Sequence, residues 1–194
     1  QNGGYFLLGS TRSYGNGGSD IWLIKTNING NEEWSKCFGD GGNDYGTSIL
    51  ETHDGGLLIQ YDIQSFGDGN TSVGLLRTNS EGEQIWTKAF SGAYTEGTSS
   101  IIRLGMYEYI LGFSLYDYTK NGYNSWILKI NDDGELIWDR ILGNDGDNRS
   151  FSISPTLDQG FILSGSTNNF DDNTLTSSDL WIIKTDPNGY SKEN

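Results

Sequence analysis

Candidate chemistry in this 194-residue chain begins with a single histidine and a single cysteine. A metalloenzyme needs several converging ligands, usually His, and His53 stands alone in a His53-Asp54-Gly55-Gly56 stretch that reads as a tight turn. A Ser-His-Asp arrangement would also have to use His53, and no Gly-x-Ser-x-Gly nucleophile elbow accompanies it. Cys37 shares a register with Ala89 and Ile141, so it is expected to fill a core slot as a small hydrophobe, and one cysteine forms no internal disulfide. No catalytic residue is assigned, and the chain is not expected to be an enzyme.

Carboxylates gather between apolar runs. Asp40, Asn43 and Asp44 lie in one such segment, Asp145 and Asp147 in the matching segment two repeats on, and Asp171 and Asp172 in another. Oxygens of the first five could hold Ca²⁺; the alternative, with no EF-hand pattern present, is Asx capping of loops. No other cofactor is expected. Tyr14, Phe66, Tyr118 and Phe170 recur at intervals of 52, beside Asp and Asn. A ring that takes a pyranose face, with polar groups for the hydroxyls, is what a sugar site requires; the alternative is that each ring pins its loop against the next repeat. Lys25, Arg77, Lys129 and Lys184 recur as well, and each stem is expected to lie on its sheet with the cationic head on a nearby carboxylate.

The elements behind these residues follow from an internal repeat of about 52 residues. Trp34, Trp86 and Trp138 keep that spacing, as do Ser48, Ser100 and Ser152, and Ile49, Ile101 and Ile153. Gly4, Gly56 and Gly160 fit the frame, with Glu108 as the exception. Each repeat reads as four strands. One turn recurs as Asn27-Ile28-Asn29-Gly30, Asn79-Ser80-Glu81-Gly82, Asn131-Asp132-Asp133-Gly134 and Asp186-Pro187-Asn188-Gly189. Its first residue caps the turn with a side-chain oxygen, and its glycine takes the left-handed conformation. Runs such as Tyr5-Phe6-Leu7-Leu8, Ile21-Trp22-Leu23-Ile24 and Trp181-Ile182-Ile183 are apolar at both parities, which predicts sheets buried on both faces. Sheets stacked as blades around an axis meet that condition, so the expected fold is all-β, a β-propeller of four-stranded antiparallel blades.

Composition agrees. The chain has 28 Gly and 2 Pro, as many tight turns require, and 6 Trp, 11 Tyr and 8 Phe to build a core. A net charge of −14 without clustered Lys and Arg argues against nucleic acid as a partner. No apolar run is long enough to span a membrane as a helix.

The segments Gly3-Gly4-Tyr5-Phe6-Leu7-Leu8-Gly9-Ser10 and Asp20-Ile21-Trp22-Leu23-Ile24-Lys25-Thr26, followed by Gly30 and Trp34, return as Gly160-Phe161-Ile162-Leu163-Ser164-Gly165-Ser166 and Asp179-Leu180-Trp181-Ile182-Ile183-Lys184-Thr185. This pattern resembles the kelch-like propeller repeats of bacterial and archaeal secreted and cell-surface proteins. The resemblance implies kelch-like topology, an extracellular or cell-surface setting and no catalytic residues. In the second copy Gly74 stands where the others have Trp, and in the third Met106-Tyr107-Glu108 replaces the Asp-Gly-Gly turn, so both blades are expected to be less regular.

The expected organisation is one propeller domain or segment: a part-blade 1–42, blades 43–94 and 95–146, and a part-blade 147–194. That division gives sheets of three, four, four and three strands in an incomplete ring, whose missing strands and blades a neighbouring segment or a second chain would supply. The chain opens on Gln1, as a processed product or an excised piece would. The expected role is a non-catalytic module for surface adhesion, assembly or protein interaction; the alternative is carbohydrate binding by the aromatic and acidic loops of one face.

Overall fold

Local chemistry makes the hairpins. In the recurring turn, the amide of the glycine donates to the carbonyl of the first residue at 3.0 Å in Gly30, Gly82 and Gly134 and 3.1 Å in Gly189. The four glycines have φ of 81°, 73°, 71° and 80°, a region an L side chain enters only with strain. The first residue then ties the loop: Asn79 Oδ1 accepts from the amides of Glu81 and Glu83, and Asp186 Oδ1 from those of Asn188 and Tyr190. The register slips just before the turn, between Lys25 and Thr26, Arg77 and Thr78, and Lys129 and Ile130. That is the bulge expected of a turn closed by a left-handed glycine.

The computed structural model describes residues 3–64, 72–90, 95–117, 122–143, 146–168 and 178–191. Among them there are strands and no helix. The strands are β1 (Tyr5–Thr11), β2 (Asp20–Thr26), β3 (Glu32–Phe38), β4 (Asp44–Glu51), β5 (Leu57–Ile63), β6 (Ser72–Thr78), β7 (Gln84–Phe90), β8 (Thr95–Leu104), β9 (Glu108–Asp117), β10 (Gly122–Asn131), β11 (Leu136–Leu142), β12 (Asn148–Pro155), β13 (Phe161–Thr167) and β14 (Asp179–Thr185). They form four antiparallel sheets in sequence order: β1–β3, β4–β7, β8–β11 and β12–β14. Sheets of three, four, four and three strands are those the repeat spacing predicts.

The chain divides into two compact units, residues 1–91 and 92–194. In the first unit, Ile21 and Leu23 of the first sheet meet Leu57, Ile59 and Leu76 of the second, with Phe6, Leu8 and Trp34 closing the cluster. In the second unit, Ile110, Ile127 and Leu142 of the third sheet meet Phe161 and Leu163 of the fourth, with Trp138 and Trp181 at the margin. Trp34 and Trp138 are therefore half-buried between sheets, and each seats on the recurring turn of the next sheet. A Cβ built on Gly82 would lie 2.6 Å from Trp34 Cη2, and one on Gly189 would lie 2.8 Å from Trp138 Cζ3.

Two expectations need correction. Burial on both faces holds for β5, β6, β9 and β10 but not for β1 or β14, which expose residues such as Leu7 and Ile182. The second copy is not made less regular at Gly74, because β5 and β6 pair in unbroken register from Leu57–Thr78 to Ile63–Ser72. The Tyr61 ring lies over Gly74 where a Cβ would stand, so small and large partners have merely exchanged strands. Gly9 faces Trp22 and Gly165 faces Trp181 across the same ladder position. The third copy departs at its turn, where the ladder runs on to Asn131–Glu108; the slip of β8 against β9 between Glu96 and Ser100 has counterparts in β4 against β5 and β12 against β13.

Candidate functional site

The recurring cations hold hairpins. Arg77 is buried, and its Nη2 donates to Asp54 Oδ1 at 2.9 Å while Nη1 donates to the Thr78 carbonyl. Asp54 Oδ1 also accepts from Thr52 Oγ1 at 2.6 Å and from the Gly56 amide at 3.2 Å. Burial works against that carboxylate, but bonds from Thr52, Arg77 and Gly56 outweigh it and hold Asp54 down at about 2. The fourth sheet repeats the device. Lys184 Nζ donates to Asp158 Oδ2 at 2.8 Å, and Thr156 Oγ1 to Asp158 Oδ1 at 2.5 Å. Glycine is required at Gly56 and Gly160 because the next strand's carbonyl and the cation occupy the space of a Cβ.

In the third sheet Met106 stands at the Asp position, and the carboxylate comes from the glycine position instead: Glu108 pairs with Lys129 Nζ at 2.8 Å. The ladder there extends one pair further, to Asn131–Glu108, and this removes the close approach that demands glycine. Lys25, in the first sheet, donates to the carbonyls of Gly3 and Thr26 at 3.2 and 3.0 Å and lies 3.8 Å from Glu33.

The acidic loop residues join two loops at one end of the first sheet. Asn43 Oδ1 accepts from the Ser19 amide at 2.9 Å, and Asp44 Oδ2 accepts from the Asp40 amide at 3.0 Å. The Gly18 amide donates to the Gly42 carbonyl at 2.9 Å. Asp147 does in the second unit what Asn43 does in the first: its Oδ1 accepts from the Tyr123 amide at 2.8 Å. Asn43, Asp44 and Asp147 thus act as loop caps, Asp40 contributes its backbone amide, and Asp145 lies outside the described residues. Among the described residues no three His, Cys, Asp or Glu side chains gather as a metal site.

Asp20 is the residue that spacing alone did not single out. It is 2% exposed and Asp44 is 2% exposed. Asp20 Oδ1 has no hydrogen-bond partner, and the two carboxylates converge on the space a Cβ of Gly39 would fill. The counterpart in the second unit is an amide pair, Asn124 and Asn148, beside Gly143. The recurrence of Asp20 and Asn124, 104 residues apart, is the signal that could have found the position. A cavity of about 210 Å³ next to Asp44 is lined by Asp40, Phe38, Ile63 and Tyr61. Burial, then the charges of Asp44 and Asp40, push the Tyr61 phenol up to about 12.

Of the aromatic set, Tyr14 is 65% exposed, with its ring centroid 6.2 Å from that of Trp22. Phe66, Tyr118 and Phe170 lie outside the described residues. His53 is exposed in its turn. Cys37 is half-buried on β3 and pairs with Trp22, and its counterparts Ala89 and Ile141 are exposed. The core slot expected for it is therefore an outer-strand position. Burial and then Asp20 push its thiol upward, away from the thiolate. No helix among the described residues is long and apolar enough to cross a membrane. No known family model matches the chain, and no curated protein matches it.

Proposed function

We propose that the chain is a non-catalytic binding module built of kelch-like propeller blades, working outside the cell or at its surface in adhesion, assembly or protein contact. The observation that carries this reading is the stacking of repeats through Trp34 on Gly82 and Trp138 on Gly189. The residues that recur with the repeat are engaged in building it: cations clamp hairpins, Asn and Asp cap turns, and Trp joins sheets. Surface for a partner then remains in the loops and outer faces. A charge of −14 favours a protein or neutral glycan partner over nucleic acid.

The carbohydrate reading has one observation in its favour, the exposed Tyr14 ring beside Trp22 and close in sequence to the Asp20 loop end. A glycan array run with the wild-type chain and Tyr14→Ala separates the readings. Binding to particular pyranose glycans that falls at least about tenfold in Tyr14→Ala supports the carbohydrate role. Absence of glycan binding supports protein contact. Chemical turnover of any arrayed glycan contradicts a non-catalytic module.

A further inference from the structure

Two buried carboxylates converge within the first unit. Asp20 opens β2 and Asp44 opens β4, and each is 2% exposed. The point where a Cβ of Gly39 would stand lies 2.3 Å from Asp20 Oδ1 and 2.9 Å from Asp44 Oδ2. Two like charges held this close and out of water repel unless a cation or a proton joins them. Asp44 Oδ2 accepts from the Asp40 amide at 3.0 Å. Asp20 Oδ1 has no partner, and Asp20 makes no ion pair with a described Lys or Arg. Arg12, at the far end of the loop that leads into β2, donates instead to Ser19 Oγ at 3.0 Å. That loop closes over the other oxygen: Asp20 Oδ2 lies 2.3 Å from the Cβ position of Gly15.

The second unit contains the same arrangement without its charge. Asn124, Gly143 and Asn148 stand 104 residues beyond Asp20, Gly39 and Asp44. Asn124 Oδ1 lies 2.6 Å from the Cβ position of Gly143, and Asn148 Oδ1 accepts from Thr167 Oγ1 at 3.0 Å. Building this end of a sheet therefore needs side chains of that shape but not two negative charges. The charges of Asp20 and Asp44 are left for another task. A cavity of about 210 Å³ beside Asp44, lined also by Gly39, Asp40 and Tyr61, is large enough to hold water.

We propose that Asp20 and Asp44 bind one Ca²⁺ ion through Asp20 Oδ1 and the Asp44 carboxylate, with water from the cavity in its oxygen shell. Ca²⁺ accepts an irregular set of about six to eight oxygens, whereas Mg²⁺ demands near-ideal octahedral geometry. With only two carboxylates the site is weak, with a Kd on the order of 10⁻⁴–10⁻³ M. The ion ties the loop before β2 to the loop before β4. The site lies inside one unit and does not depend on the binding-module reading.

Equilibrium dialysis of the full chain against CaCl₂ in about 150 mM NaCl tests this, with thermal unfolding alongside. Wild type should take up one Ca²⁺ per chain at this affinity, and its unfolding midpoint should rise by about 3–10 °C in about 10 mM CaCl₂. Asp20→Asn combined with Asp44→Asn should fold, because the second unit carries that amide pair, and circular dichroism checks it. The double variant should lose the bound ion and the rise in midpoint together. A wild type that takes up no Ca²⁺ would overturn the proposal whatever the variant does. Uptake and a rise undiminished in the double variant would also overturn it, by placing the ions elsewhere on the acidic chain.

Discussion

Trp34 covers Gly82: the indole of one sheet rests on the turn glycine of the next, with its Cη2 2.6 Å from where a Cβ would be. Gly30 occupies the same place in the first sheet's own turn, with nothing within 4 Å of its Cβ position. The two glycines share a conformation, φ 73° and 81°, and differ in the ring above. Gly82→Ala should therefore lose left-handed strain and packing together, about 3 kcal/mol, and Gly30→Ala the strain alone, about 1 kcal/mol. Urea unfolding of both variants checks this, and equal losses would remove the role of the ring.

Asp62 sits on β5 and is held up at about 6 by burial. A carboxylate whose folded pKa exceeds its unfolded value favours folding while protonated, so its contribution is lost as pH rises from about 4 through about 6. Asp62→Asn should stabilise the chain by about 1–3 kcal/mol at pH above about 7 and change little near pH 4. Denaturation midpoints at the two pH values measure the difference, and a loss of stability at the higher pH would contradict it.

Asp54 is the opposite case, held down at about 2 by Thr52, Arg77 and Gly56 against the effect of burial. Its contribution is present above about pH 4 and is lost as pH falls through about 2. Because the Asp54 side chain is 43% exposed, screening limits that contribution to below about 1 kcal/mol. Carboxyl NMR should place the Asp54 midpoint near 2 in the wild type and closer to the ordinary aspartate value in Arg77→Met. Arg77→Lys, the residue type of Lys25, Lys129 and Lys184, should keep the midpoint low. An unmoved midpoint in Arg77→Met would show that the guanidinium does not act on Asp54.

Strands and turns were legible because each rests on a local signal: the Asn-x-x-Gly spacing names its own conformation, and the 52-residue period names the partners. Gly74 misled because sequence reads one strand at a time, and the ring that compensates for it, Tyr61, comes from the strand across the ladder. Cys37 misled because alignment with Ile141 identifies a position without its face, and Ile141 is 57% exposed. The bare faces of β1 and β14 were hidden because the same motif, Asp-x-Trp-x-Ile-Lys-Thr, is buried in β2 and exposed in β14. Burial there is decided by the neighbouring sheet, not by the strand. Asp20 went unassigned because its meaning depends on Asp44 and Gly39, which only the loop hydrogen bonds bring to it.

Stacking of successive repeats underlies the proposed binding module, and proton NMR reads it most directly. A glycine under an indole has its Hα resonance moved by the ring current and shows cross-relaxation to the ring protons. Gly82 Hα should be shifted and coupled to Trp34, and Gly189 Hα to Trp138, while Gly30 Hα shows neither effect. Trp34→Leu should return Gly82 to the Gly30 position without disturbing Gly189. Ordinary shifts at Gly82 and Gly189 with no cross-relaxation to either indole would contradict the stacking of sheets in both units.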